Sequence, residues 1–395
     1  MPGKSKAKCP EDGKVMQYTT IKVRLCPTPE QAELFENTFG CCRYIWNRML
    51  ADQQKFYFET DAHFIPTPAK YKKEAPFLKE VDNQALIQEH NKLSQAFRVF
   101  FKKPETFGRP NFKRKKDDKD SFTACNHVLE SGPTIYITKD GIRMTKAGIV
   151  RAKFSRRPRN GWQLKRVTVG KTKSGKFYAC ILYAYSVKEP ETVTPTEETT
   201  LGLKYSMSHF YVADNGGTAD APHWLRDSQE KLAKLQRRIS RMQPGSKNYA
   251  DAVQKYRLLH EHIANQRRDF IHKQSSRIAN DWDAVCMRDD SIREVSETKV
   301  LPGNALDSGF GMFREFLRYK LARQGKPLVL LDRYFASTRT CSACGQLRAA
   351  SPHRKAVWIC RSCGTRHDRE INAAKNIKVH GLEQYFNQEQ VRESA

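Results

Sequence analysis

Two pairs of cysteines near the C-terminus carry the most specific chemistry in the chain: Cys341 with Cys344, then Cys360 with Cys363, with 15 residues between the pairs. Thiolates spaced as Cys-x-x-Cys can grip one metal ion from a tight turn. Gly345 and Gly364 follow the two pairs, where the backbone has to reverse. Four thiolates fill a tetrahedron and leave no position for water or substrate, so the spacing predicts a structural Zn2+ in a ribbon, not a catalytic metal. Cys9, Cys26, Cys41, Cys42, Cys125, Cys180 and Cys286 are scattered. An odd total of 11 cysteines, four of them in metal spacing, fits a reducing compartment better than a disulfide framework. Directly after the ribbon comes Asp368-Arg369-Glu370-Ile371-Asn372-Ala373-Ala374, which reads as a helix start with Asp368 at the N-cap and Glu370 in the first turn.

The second chemical signal is charge. Lys and Arg number 70 against 43 Asp and Glu, a net +27 on a chain of 395 residues that is 39% hydrophobic. That is a folded protein needing an acidic partner, and nucleic acid, whose counterions are released on binding, is the first candidate. From Lys102 to Lys119 the composition turns to Lys, Arg, Pro and Gly. Phe107, Arg109, Phe112, Lys113, Arg114, Lys115 and Lys116 alternate rings with cations, a pattern suited to phosphate contact and base stacking; a solvated linker is the alternative. Met1 to Val15 is polar with no apolar signal region. No run approaches the roughly 18 apolar residues of a spanning helix, so the expectation is a cytoplasmic protein with no membrane partner.

The elements that must position these residues follow from periodicity. Tyr18 to Leu25 alternates as a strand. Thr28 then reads as an N-cap, with Pro29 at the first helical position and Gln31 closing a capping box. Gly40 should end or bend that helix, and helical patterns continue to about Phe101. Residues 120–187 read as all-β, with turns at Asp140-Gly141 and Ser174-Gly175. Lys188 to Thr200 is a Pro/Glu/Thr linker and the clearest domain boundary. Beyond it, β-prone Leu201 to Ala213 precedes two helices near 224–242 and 247–281, broken at Pro244-Gly245. A strand at Ala284 to Met287, a helix near 309–324 and a buried strand at Pro327 to Leu331 complete an α/β pattern.

On these residues the chain resembles TnpB, the OrfB-type RNA-guided nucleases of bacterial transposons. The resemblance runs from Lys22-Val23-Arg24-Leu25-Cys26-Pro27-Thr28-Pro29-Glu30-Gln31 and Phe39 to Asn47, through Asn265 to Lys273 and Leu317 to Lys320, to Ser337 to Gly345 and the Asp368 run. It implies an α/β multidomain fold: a β-barrel wedge domain (17–27 and 113–190) with a helical recognition insert (28–112). A linker (191–200) would lead to a RuvC-like, RNase H-type domain (201–337 and 367–380) carrying a four-cysteine zinc ribbon (338–366), between a basic tail (1–16) and a polar one (381–395). It also implies a guide RNA and a double-stranded DNA target with a short adjacent motif, and it adds Arg43, Tyr44, Arg267, Arg268 and Lys273 to the candidate nucleic-acid contacts.

The resemblance fails at the acids that cut. Lys204 in Leu201-Gly202-Leu203-Lys204 stands in the column of the family's catalytic aspartate. Arg288 after Val285-Cys286-Met287 stands in that of the glutamate, and Glu370 in that of the last aspartate. Two-metal cleavage uses carboxylates to hold two Mg2+ ions about 4 Å apart. Two cations and one acid give a formal +1 where three acids would give −3, and unit charges about 4 Å apart interact by roughly 4 kcal/mol at an effective dielectric near 20. The pattern is similar to that of TnpB-like nuclease-dead repressors (TldR), which implies promoter occupancy without cleavage and no catalytic Mg2+. The other readings are an active RNA-guided endonuclease in which Asp289 or Asp214 substitutes, and an inert transposon remnant or RNA chaperone.

Overall fold

The computed structural model describes residues 13–117, 120–206, 208–220, 227–289, 309–349 and 356–393. The chain divides into two compact units, Met1–Glu189 and Pro190–Ala395, so the boundary falls at the start of the expected linker.

In the first unit, β1 (Lys14–Cys26) leads into α1 (Pro29–Thr60) through the expected cap: Thr28 Oγ1 accepts from the Gln31 amide and the Gln31 side chain accepts from the Thr28 amide. Gly40 neither ends nor bends α1, which runs on for 32 residues. Its buried side, with Phe39, Cys42, Ile45 and Met49 around that point, outweighs one glycine's propensity cost of about 1 kcal/mol. After α2 (Asn83–Lys102) come β2 (Ser121–Cys125), the small β3 (Val128–Leu129) and β4 (Gly132–Pro133) hairpin, β5 (Tyr136–Ile137), β6 (Gly141–Met144), β7 (Gly148–Lys153), β8 (Gln163–Lys171) and β9 (Phe177–Lys188). Among the described residues they form a seven-stranded sheet in the order β2-β8-β9-β1-β7-β6-β5, and no pairing joins its ends. The expected barrel is therefore not closed. A barrel would have to bury the sheet's apolar face against itself. Here α1 covers it instead, with Phe35 and Phe39 each 5.7 Å from Phe122. The expected helical insert and wedge thus share one core.

In the second unit, β10 (Thr200–Tyr205), β11 (His209–Ala213) and β12 (Thr218–Asp220) form an antiparallel meander. The helical hairpin α3 (Gln229–Ser240) and α4 (Lys247–Asp281) follows, then β13 (Ala284–Arg288), α5 (Phe310–Ala322) and β14 (Leu328–Leu331). The sheet order is β12-β11-β10-β13-β14, with β10, β13 and β14 parallel, the order expected of an RNase H-type sheet. Strand alternation gives this sheet two different faces. Leu201, Leu203, Val285 and Met287 pack with Ile271, Ile278, Phe313 and Leu317 of α4 and α5. On the other face Cys286, Val329 and Leu331 pack with Ile377 of α6 (Arg369–Glu393). Close approach there depends on glycine: a Cβ on Gly202 would sit 2.3 Å from the Ala374 carbonyl oxygen, and one on Gly381 2.5 Å from Cys286 Sγ. Between β14 and α6 lies the cysteine-bearing segment with its two-stranded β15 (Val357–Ile359) and β16 (Arg366–Asp368).

Candidate functional site

The α6 face of the second sheet collects the three positions that depart from the acidic pattern. Register pairs Leu203 with Met287, so the next residues, Lys204 and Arg288, are neighbours on adjacent strands, on the face shared by Gly202 and Cys286. Asp368 Oδ1 accepts from the amides of Glu370 and Ile371 and so starts α6 as the expected N-cap. That start delivers Glu370 to Lys204, with Nζ 2.5 Å from Oε2. The other carboxylate oxygen, Oε1, accepts from Arg369 Nη2 at 2.8 Å and Nε at 3.1 Å. Burial pushes against the Glu370 charge, but Lys204 and then Arg369 outweigh it and hold the carboxyl below its ordinary value. Lys204 Nζ also donates to the Tyr205 carbonyl, and Arg288 Nη1 approaches the Phe335 carbonyl at 3.5 Å. Of these three positions Glu370 alone is a carboxylate, and it already carries two cationic partners.

Of the two substitute acids, Asp289 lies on the other face of the sheet and Asp214 on the α6 face beside Gly202. Asp289 pairs with Arg314 of α5, on the opposite face of the sheet, as alternation requires. Asp214 accepts from the Gly202 amide at 2.9 Å and from Lys378 Nζ at 3.1 Å, so it ties the β11–β12 turn to β10 and α6.

The cysteines do converge. All four Sγ atoms lie within 4.8 Å of one another, with Cys341 to Cys363 at 3.7 Å and Cys344 to Cys360 at 3.8 Å. A tetrahedral zinc with Zn–S about 2.3 Å has sulfur–sulfur edges of about 3.8 Å, so the set fits the ion. Gly345 (φ +73°) and Gly364 (φ +72°) take the left-handed turn after each pair. The Thr365 hydroxyl, 3.2 Å from Cys363 Sγ, helps pull that thiol down to about 6.

Three residues here escaped sequence reasoning. His367 Nε2 lies 3.1 Å from Cys341 Sγ, with its ring against Trp358. Asn372 bonds the Thr340 carbonyl and the Ser342 amide, and Asn376 the carbonyls of Ser337 and Thr340. These asparagines strap the first knuckle onto α6. The i, i+4 spacing of two polar residues amid buried Ala373, Ala374 and Ile377 was the available signal.

The candidate nucleic-acid contacts divide. Arg43 pairs with Asp120 at 2.8 Å, and Lys113 with the fully buried Glu89 at 2.5 Å, above the Trp46 ring. Tyr44 packs edge-on against Phe77 at 5.3 Å. Arg43 and Lys113 thus each hold an acidic partner within the first unit while keeping part of their side chains exposed. Trp46 Nε1 donates to the Asn111 carbonyl and Asn47 brackets the Lys113 backbone, so the basic run is strapped to α1 rather than hanging as a free linker. Arg109, Phe112, Arg114, Lys115 and Lys116 are exposed around that strap, as are Arg268 and Lys273 on α4, while Arg267 is half-buried. No helix among the described residues is long and apolar enough to cross a membrane.

Each unit thus has a distinct frame: a wide antiparallel sheet cored by a long helix in the first, and an RNase H-type sheet followed by a four-cysteine knuckle pair in the second. Three stretches of the chain match models of the OrfB (IS605-type) and Cas12f1-like families. Residues 182–292 match the family model described as "Probable transposase" (OrfB, IS605), 310–377 that of "Cas12f1-like, TNB domain", and 16–61 one described as "Helix-turn-helix domain". The last stretch folds here as β1 and the single helix α1. A relative from Streptomyces pristinaespiralis, named as an RNA-guided DNA endonuclease, is 29% identical over 92% of this chain and 89% of its own. InsQ of Escherichia coli K12, named in the same way, is 27% identical over 91% of this chain and 92% of its own. A solved Cas12f1 in complex with sgRNA and target DNA shares the fold, with a TM-score of 0.57 at 12% identity over 93% of this chain and 99% of that one.

Proposed function

We propose that this chain is an RNA-guided, sequence-specific DNA-binding protein that does not cut, and that it represses transcription by occupying a promoter. The single observation behind this is the Lys204–Glu370 ion pair beside Arg288, where metal-binding carboxylates would be needed. An arginine cannot deprotonate to make room for a cation. Guide RNA would supply the base readout, while the protein holds the RNA–DNA duplex by shape and charge. The exposed basic residues around Arg109 to Lys116 and on α4 suit that backbone role. Zn2+ on Cys341, Cys344, Cys360 and Cys363 would keep the ribbon in shape and take no part in chemistry. A prokaryotic cytoplasm, with the protein on the nucleoid when bound, is the setting this implies.

The family relatives named as endonucleases keep a second reading open: an active enzyme with displaced ligands. One experiment separates them. The protein is purified with its co-purifying RNA, that RNA is sequenced, and DNA matched to it is incubated with the complex in Mg2+ or Mn2+. Retained binding with intact DNA, and blocked run-off transcription when the match lies in a promoter, are expected. Cleavage that disappears on changing Asp289 or Asp214 would establish the enzyme instead.

A further inference from the structure

We infer that the first unit holds a binding cavity for a single unstacked nucleobase, set against α1 at Gly40, and that guanine is the base its polar groups fit. The inference rests on the guided-binding reading above and goes beyond it by giving the nucleic acid a defined contact in the first unit. The cavity has a volume of about 470 Å3, within the roughly 300–1,000 Å3 of small-ligand sites. Its floor is apolar: Phe39, Cys41 and Val81 are buried there. Glu36, Asn37, Gly40 and Arg43 line it from one side of α1, at helical spacing. Phe77 and Glu80 line it from the short turn that precedes α2.

Three observations choose the ligand. Gly40 is the first. Its backbone is ordinary helix, without the positive φ that calls for glycine, and a Cβ there would meet nothing within 4 Å. Neither the conformation nor the packing of the chain requires a glycine in mid-helix, where it costs stability relative to alanine. A flat ligand lying against the bare helix backbone does require it. Second, much of the charged lining is committed: Glu36 pairs with Lys171, and Arg43 with Asp120. Among the described residues no hydrogen bond or ion pair engages the side chains of Glu80, Asn37 and Lys115, which also line the cavity. Burial, and then Glu80, push the Cys41 thiol up to about 11, so the floor stays uncharged. Third, one open carboxylate over an apolar floor is a poor fit for a metal ion, which needs several oxygen ligands. It is a good fit for a ring with N–H groups along its edge. Guanine presents two side by side, N1–H and the N2 amino group, and one carboxylate can accept both. Adenine and cytosine offer an amino group beside an acceptor, and uracil and thymine one N–H between two carbonyls. Phe77, 43% exposed, supplies a ring for stacking, and Lys115 a cation for the flanking phosphate.

The test uses the full chain with its co-purifying RNA, resynthesised, and the matched DNA. Inosine, which lacks only the N2 amino group, replaces each guanine in turn, first in the RNA and then in each DNA strand. Release of the substituted strand is measured with the unmodified protein and with Glu80→Gln. Weaker base pairing by inosine affects both proteins alike and drops out of their ratio. At one guanine the unmodified protein should release the strand about tenfold faster beyond that common effect, the scale of a lost hydrogen bond to a charged group. The strand that carries this guanine identifies the source as guide or target. Glu80→Gln should release the unsubstituted strand about tenfold faster and show no further loss at that position. Gly40→Ala separates a ligand role from a structural one. The chain without RNA should melt about 2–4 °C higher, from helix propensity alone, while guided binding weakens about tenfold. Gly40→Ala with unchanged binding overturns the inference, and so do coincident inosine profiles for the unmodified protein and Glu80→Gln. Absence of guide-dependent binding to unsubstituted DNA would instead remove the reading beneath, so the two failures are distinct.

Discussion

At the residue scale, the site turns on one carboxylate with two cationic neighbours. Restoring a single ligand should not restore cutting: Lys204→Asp sets an acid beside Glu370 but leaves Arg288 facing the metals, so cleavage of matched DNA should stay at background. The triple change Lys204→Asp, Arg288→Glu, Glu370→Asp is the smallest set expected to show cleavage in Mg2+. The same pair sets a pH dependence. The Glu370 carboxyl lies lower in the folded than in the unfolded chain, so its contribution is fully present above the ordinary carboxyl range and lost as pH falls through the depressed value. Glu370→Gln should therefore cost about 1–2 kcal/mol at pH 7, seen as a lower Tm, and the gap from the unmodified protein should narrow as pH falls through the depressed carboxyl value. The sequence showed that Lys204, Arg288 and Glu370 were unusual in type. It could not show that the first and last touch, because that contact joins residues 166 positions apart through helix placement.

At the element scale, two contacts hold α6 in place. The face-to-face approach of β10 and α6 leaves no room for a methyl on Gly202, so Gly202→Ala should destabilise the second unit by about 1–3 kcal/mol, measurable as a shifted denaturant midpoint with unchanged slope. The ribbon is the other. Elemental analysis should find close to one zinc per chain, and Cys344→Ser should lose it; full retention would contradict the four-thiolate assignment. Local signals were legible here: the Thr28 capping box, the knuckle glycines and the Asp368 cap each depend on residues within four positions. Gly40 misled because a local propensity was overridden by burial along α1, and the barrel misled because strand content alone does not say whether a sheet closes on itself or on a helix.

At the scale of the whole molecule, the charge of +27 decides how binding responds to salt. Affinity of the guide-loaded complex for matched DNA should fall linearly in log–log form, with a slope of about −0.9 for each duplex phosphate neutralised. The protein without guide should show weak binding with no preference for the matched sequence. Tight guide-free recognition of one duplex would mark an ordinary DNA-binding repressor. Composition alone pointed to nucleic acid as the partner proposed here. It could not say which cations are also held by acids of the fold, as Arg43 is by Asp120 and Lys113 by Glu89.

The Lys204–Glu370 pair also bears on heredity. Because each partner satisfies the other, an acidic set built one codon at a time at these positions should pass through less stable members. Replacing the lysine alone crowds two carboxylates, and shortening the glutamate alone leaves the ammonium without its close partner. If the chain is the non-cutting protein proposed here, the pair acts as a ratchet: selection for a stable protein keeps both partners even when nothing selects against cutting.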